Sequence, residues 1–245
     1  MNRFPAWVLS LADAQERREG IRQTLSRCAC LAWQFHDAID GRRGGLIQAP
    51  YAVGKTLRWQ GYPLTPAEIA CVEGHRGMWR AFLSGGEPIG IFLEDDIRVN
   101  DRFCELIAAA AGASEAWDLL RLECVFARRV IRRLGTVSPG VSLVVRRHDC
   151  RGSAAYMLTR DAAARLLACT EPFWLPMDVI LDRYWDHELR VRTLDPLPCA
   201  QGGITSDIGA RNKPRCSFLI RCRREAVRAW DLARRYGFHL CGKRR

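Results

Sequence analysis

Three consecutive acids, Glu94-Asp95-Asp96, follow directly on the apolar run Pro88 to Leu93 (PIGIFL). Such a run reads as a strand covered on both faces. Unpaired carboxylates are costly to desolvate inside a strand, so the triplet belongs at the strand's end. The ends of parallel strands are where open α/β sheets bind ligands. Side chains alternate along an extended segment, which predicts Glu94 and Asp96 on one side and Asp95 on the other. Two converging carboxylates suit a hard divalent cation, Mn²⁺ or Mg²⁺, shared with diphosphate oxygens. The competing reading is a solvated acidic turn, and the apolar strand leading into the triplet weighs against it.

A cation at that position is a Lewis acid for charge developing on a leaving diphosphate. A sugar carbon losing that group gains oxocarbenium character, and an acceptor hydroxyl attacks it. With inversion, a carboxylate on the acceptor side acts as general base. Asp178 is the candidate. It follows Pro172-Phe173-Trp174-Leu175-Pro176, an aromatic stretch suited to a sugar platform. The alternative role for Asp178 is an acid in a helix's first turn, complementing the dipole.

Local signals set out the elements that must hold these groups. Ala6 to Leu11 reads as a buried strand, and Asp13 as the N-cap of a helix to about Arg27. Leu31 to Phe35 reads as a second strand. Arg42 to Pro63, with weak periodicity, reads as a long loop. Thr65-Pro66-Ala67-Glu68 is a capping box with proline at the first helical position. Its helix runs to about Leu83, and His75 falls on its apolar face, as a core histidine or a site residue. Further helices are expected over Asp101 to Ala111, Thr159 to Cys169 and Pro176 to Trp185. Strands are expected over Trp117 to Leu122, within Arg128 to Arg147, over Ser153 to Leu158 and over Leu189 to Leu194. Pro196 to Pro214 reads as loop and Phe218 to Tyr236 as a basic helix. Alternating strands and helices imply an α/β sandwich with a largely parallel sheet and some antiparallel pairing in the second half.

The chain has 245 residues and a net charge of +11. Twelve Lys/Arg and two Asp/Glu fall in residues 211–245, so that segment holds nearly all of the excess. We therefore divide the chain into a domain over 1–210 and a basic tail over 211–245. Arg221, Arg223, Arg224, Arg228, Arg234 and Arg235 alternate with Val227, Trp230 and Leu232, and the tail ends Lys243-Arg244-Arg245. A basic helix with aromatic residues suits an anionic membrane surface. A solvated helix folded on the body is the plainer alternative. Nucleic acid is disfavoured, because no recognisable module accompanies the charge. Eleven cysteines lack metal-site spacing and read as reduced, mostly buried residues of a cytoplasmic protein. The apolar run near Met1 is too brief for a signal peptide. No apolar stretch approaches the ~18 residues of a membrane span.

Several pieces occur in a recognisable order. They are Val8-Leu9-Ser10-Leu11 with Arg17-Arg18, Phe35-His36-Asp37-Ala38-Ile39-Asp40-Gly41, and Leu64 to Cys71 with His75 and Trp79. Ile91 to Asp96, Trp117-Asp118, Ala155-Tyr156 and Pro176-Met177-Asp178 follow. Over residues 6 to 210 the chain resembles glycosyltransferase family 25, which includes bacterial lipooligosaccharide galactosyltransferases and collagen galactosyltransferases. The resemblance implies a GT-A-like fold, a mixed, largely parallel sheet flanked by helices. It also implies a UDP-sugar donor, often UDP-galactose, and Mn²⁺. Ser10, Leu11, Arg17, Asp37 and Ala38 would lie near the nucleotide, with Asp95 toward the sugar or ribose. Glu94 and Asp96 would meet metal and diphosphate, and Asp178 the acceptor. The family pattern has Gly-Cys and Ser-His in the capped helix, where this chain has Ala70-Cys71 and Gly74-His75. GT-A enzymes often supply a late histidine to the metal; here Gln201 stands in that loop, a poorer ligand, followed by Ser206-Asp207-Ile208. The implied function is hexose transfer to a cell-envelope glycan or lipid-linked glycan, at the inner face of the cytoplasmic membrane. The alternative is a weak or inactive nucleotide-sugar-fold module that docks on membranes.

Overall fold

The computed structural model describes residues 3–42, 48–126, 130–146, 150–202 and 218–240. Ser206-Asp207-Ile208 and Lys243-Arg244-Arg245 lie outside the described residues. So do residues 211–217 at the start of the basic tail and the side chain of Arg221.

Strand β1 (Phe4–Ser10) lies between β2 (Leu31–Asp37) and β3 (Ile89–Glu94) and runs parallel to both. Strand β4 (Ile97–Val99) leaves the main sheet. Beyond β3 come β5 (Leu119–Arg121), the hairpin β6 (Val130–Ser138) and β7 (Val141–Arg146), β8 (Ala155–Thr159) and β9 (Val191–Asp195). The eight-stranded order is β2-β1-β3-β8-β5-β9-β7-β6. Strand β10 (Cys199–Gln201) pairs antiparallel with β4 in a separate ribbon. The sheet is mixed, as expected. Parallel pairing joins β2, β1 and β3, and again β5 and β9; the other neighbours are antiparallel. The parallel character is therefore strongest in the half that carries the acidic triplet.

Helices α1 (Gln15–Leu25) and α4 (Phe103–Gly112) cover one face of the sheet. Helices α3 (Pro66–Ser84), α5 (Arg160–Cys169) and α6 (Met177–Asp182) cover the other. Strand alternation produces both cores. Ala6, Val8, Ile91 and Leu93 pack with Ile21, Leu25 and Ile107. Trp7, Leu9 and Phe92 pack with Trp79, Phe82 and Leu166. Burying each large apolar side chain contributes about 1.5–3 kcal/mol.

Helix α3 begins where the sequence predicts. Thr65 Oγ1 accepts from Glu68 N at 3.2 Å, and Glu68 Oε2 accepts from Thr65 N at 2.8 Å. Some expectations change, and the stretch expected as loop from Pro196 to Pro214 contains β10. Asp13 stands one residue before the N-cap of α1, Ala14, which has no side-chain cap. The stretch expected as loop between Arg42 and Pro63 contains helix α2 (Val53–Gln60), closed by Gly61 at φ 87°. Thr56 fixes α2 by donating to the carbonyl of Trp174 at 2.6 Å, a tertiary contact that no local pattern announces.

After the short helix α7 (Tyr184–His187), the tail forms α8 (Phe218–Leu240). It docks on the body through Asp231, which accepts from Arg183 at 2.6 and 2.8 Å and from Trp59 Nε1 at 2.9 Å. Arg235 Nε donates to the Tyr184 hydroxyl at 3.0 Å. Trp230 is left 67% exposed. Among the described residues, no helix is long and apolar enough to cross a membrane, and the described cysteines form no disulfide.

Candidate functional site

The C-terminal ends of the parallel strands meet at one edge, with Ser10 in register with Asp37 and Leu9 with Glu94. A cleft of about 780 Å³ opens there. Ser10, Leu11, Arg17, Ala38, Glu94, Asp95, Asp96, Asp178 and Gln201 all line it. Asp37 does not: its side chain is 70% exposed and pairs with Arg18 outside the cleft. Arg18 also donates to the Ser10 carbonyl at 3.0 Å and lies 4.5 Å over the Phe35 ring.

The chain turns immediately after Glu94, so extended alternation holds only as far as that residue. The three acids instead take three separate sets of partners. Asp95 accepts from Ser10 Oγ at 2.6 Å and forms an ion pair with Arg17. Asp96 Oδ2 accepts from Gln201 Nε2 at 3.1 Å. Pairing of β10 with β4 brings Gln201 opposite Ile97. Asp96 Oδ1 is buried and has no hydrogen-bond partner among the described residues. Burial, and then the nearby Glu94 charge, push the Asp96 carboxyl above its usual range.

Glu94 ends a hydrogen-bonded chain. Trp79 Nε1 donates to the Tyr156 hydroxyl at 3.0 Å, and that hydroxyl lies 2.7 Å from His75 Nδ1. His75 Nε2 lies 3.3 Å from Glu94 Oε1, which also accepts from Ser153 Oγ at 2.5 Å. Indole N–H can only donate and an ionised carboxylate can only accept. The consistent assignment is therefore Tyr156 donating to Nδ1 and Nε2–H donating to Glu94. Burial works to raise the Glu94 pKa, but the His75 and Ser153 hydrogen bonds outweigh it, and the carboxyl falls below its usual range. His75 is thus fully buried and also tied to the site.

Asp178 opens helix α6 and lies 3.3 Å from Arg151 Nη1. Arg151 and Gly152 have φ of 54° and 78°, a left-handed turn. A buried pair holds that turn. Arg121 donates to Asp182 at 3.0 Å and to the Arg151 and Gly152 carbonyls, each at 2.6 Å. Asp182 in turn accepts from Arg151 N at 2.8 Å. The turn therefore presents Arg151 to Asp178 and Ser153 to Glu94. Sequence reasoning missed Arg151, Ser153, Arg121 and Asp182, because contacts far apart in the chain join them. The aromatic stretch before Asp178 lies elsewhere than expected: Phe173 is buried against Tyr51, and Trp174 packs on Trp59 beneath Arg183. Val125 and Phe126 supply apolar rim to the cleft instead.

The donor set fits a hard divalent cation at Asp96. Its partnerless buried oxygen and raised pKa describe an acceptor that a cation would satisfy. Cys71, His75 and Glu94 also have ligand atoms within 4.8 Å of one another. In that cluster both histidine nitrogens are already engaged, and burial followed by the Glu94 and Asp178 charges hold the thiol well above its usual range. It is the poorer seat.

Residues 4–181 match the family described as Glycosyltransferase family 25 (LPS biosynthesis protein). The chain is 26% identical over 225 residues to the Bos taurus protein named "Probable inactive glycosyltransferase 25 family member 3". That match covers 82% of this chain and 37% of the relative. It is 24% identical to "Procollagen galactosyltransferase 1" of Danio rerio, over 83% of this chain and 37% of the relative. The chain thus spans well under half the length of both curated relatives. One similar solved structure is a glycosyltransferase involved in the glycosylation of the major capsid of PBCV-1. It is 8% identical, covers 93% of this chain and 99% of that chain, and has a TM-score of 0.45.

Proposed function

This chain belongs to glycosyltransferase family 25, and from that premise we propose that it moves a hexose from a UDP-sugar to a glycan hydroxyl. The donor sugar is galactose, the acceptor a cell-envelope glycan such as lipopolysaccharide or lipooligosaccharide, and the reaction inverts the anomeric centre. One observation carries the reading: the acidic triplet at the cleft edge, with Asp96 Oδ1 buried and partnerless. Glu94 and Asp96, with the amide oxygen of Gln201, would hold Mn²⁺ or Mg²⁺, which when bound supplies Lewis-acid stabilisation to the leaving diphosphate.

The protein's own groups do the remaining work. Ser153 and His75 fix Glu94 Oε1, so that carboxylate is preorganised. Asp95 holds Arg17 at the cleft wall, where a guanidinium suits phosphate oxygens. Ser10, Leu11 and Ala38 line the nucleotide end. Asp178 takes the proton from the acceptor hydroxyl as general base, with Arg151 beside it. The test is turnover of UDP-hexoses with Mn²⁺ by the full chain and by Asp96→Ala.

A second reading is a catalytically weak or inactive nucleotide-sugar-binding module. Its support is the relative whose name calls it inactive, together with glutamine at position 201. UDP binding without turnover would favour it.

Residues 1–210 form the catalytic unit in this proposal, and residues 211–245 form an appendage for peripheral attachment. Arg223, Arg228 and Trp230 are exposed on α8, while Asp231 anchors the helix to the body. That arrangement suits an anionic surface at the cytoplasmic face of a membrane carrying a lipid-linked acceptor. The full chain should co-sediment with anionic vesicles and lose that binding as Arg223→Glu/Arg228→Glu; equal binding by both would refute the attachment.

A further inference from the structure

We propose that Glu123 is a further carboxylate of the cation site at Asp96, and that the ligand is a hard divalent cation. The inference rests on the proposed function's reading of Asp96.

Glu123 lies two residues past β5, and the backbone of its neighbour Leu122 is held on both sides. Leu122 N donates to Ala155 O at 3.0 Å, and Cys199 N donates to Leu122 O at 3.1 Å. Strand β10 therefore starts beside Leu122 and ends at Gln201, which bonds Asp96. Two residues along a strand span about 7 Å, so Glu123 and Asp96 flank the two ends of one short strand. Glu123 is 1% exposed, and among the described residues neither carboxylate oxygen has a hydrogen-bond partner. The Ala154 N–H eases its charge without making a bond of ordinary geometry. Arg121, the adjacent cation, directs its two Nη groups to Asp182 and to the Arg151 and Gly152 carbonyls.

Glu123 also reaches the cleft wall. A Cβ added at Gly152 would collide with Glu123 Oε1, and Gly152 lines the cleft. Only a residue without a side chain lets the carboxylate come this close. The same economy recurs at Gly202, where a Cβ would stand 2.6 Å from the Asp96 carbonyl oxygen. Both Glu123 oxygens and Asp96 Oδ1 are buried and partnerless. Burial, and then the Glu94 and Asp96 charges, raise the Glu123 carboxyl to about 7 against the lowering effect of Arg121. Buried carboxylates without donors are destabilising, and unpaired hard oxygen ligands are what Mn²⁺ and Mg²⁺ select. A purely structural Glu123 would be a protonated side chain with no effect on cation affinity.

The experiment is Mn²⁺ binding to the full chain, by calorimetry or loss of the free-ion EPR signal, without donor sugar. Wild type, Glu123→Gln, Glu123→Asp and Asp96→Asn are compared, with thermal melting in metal-free buffer as the folding control. Expected is weakening by about tenfold or more for Glu123→Gln, an intermediate loss for Glu123→Asp, and metal-free melting no lower than wild type for Glu123→Gln. Wild-type Mn²⁺ affinity in Glu123→Gln, beside a loss in Asp96→Asn, would overturn the role of Glu123 and leave the cation reading intact. No Mn²⁺ binding by wild type would overturn both.

Discussion

Asp178 and His75 show how much a single residue can carry. Their types suggest chemistry, but only position decides between chemistry and packing. His75 sits on the apolar face of α3 because that face points at the end of β3. The buried histidine and the site residue are therefore the same side chain, linked to Glu94 through Nε2. Asp178 faces the cleft from the first turn of α6, with Arg151 3.3 Å away. If it is the base, Asp178→Asn should lower kcat by about 10²-fold or more with little change in donor KM. Steady-state kinetics at saturating acceptor checks this; an unchanged kcat would remove Asp178 from the mechanism. The acidic triplet was legible in sequence as a cleft feature. Its division among three partner sets was not, because the turn after Glu94 breaks the alternation on which the sequence argument relied.

At the scale of elements, legibility followed the origin of the stabilising contacts. Strands β1 and β3 announce themselves because their apolar runs are buried on both faces. Helix α3 does so through its capping box, which is local chemistry. Thr65→Ala should therefore destabilise the chain by about 1 kcal/mol, readable as a lower urea midpoint; an unchanged midpoint would mean that tertiary packing alone sets this terminus. Helix α2 and strand β10 escaped notice. One is fixed by Thr56 reaching the Trp174 carbonyl, the other by pairing with the three residues of β4. Neither contact leaves a periodic trace. The turn at Arg151 and Gly152 was hidden for the same reason, since a buried Arg121–Asp182 pair from distant elements shapes it.

For the whole molecule, a buried histidine ties stability to pH. His187 is 3% exposed, and burial holds its pKa down to about 4. The unfolded chain binds that proton near 6.5, so the unfolded state gains protons first as pH falls. Stability contributed by neutral His187 is complete above about pH 6.5 and is lost progressively toward pH 4, by roughly 3 kcal/mol. Denaturation midpoints of wild type and His187→Gln across that window should converge at low pH; parallel curves would refute it. The charge excess of residues 211–245 was plain from sequence, but the docking of α8 through Asp231 was not. In the proposed reaction the cleft at Glu94-Asp95-Asp96 transfers hexose from a nucleotide donor with a divalent cation. The most direct measurement is UDP release from UDP-galactose by the full chain with Mn²⁺, with EDTA, and as Asp96→Ala. Release with Mn²⁺ that EDTA and Asp96→Ala each abolish is the predicted result; no release from any UDP-hexose, or equal release by Asp96→Ala, would contradict it.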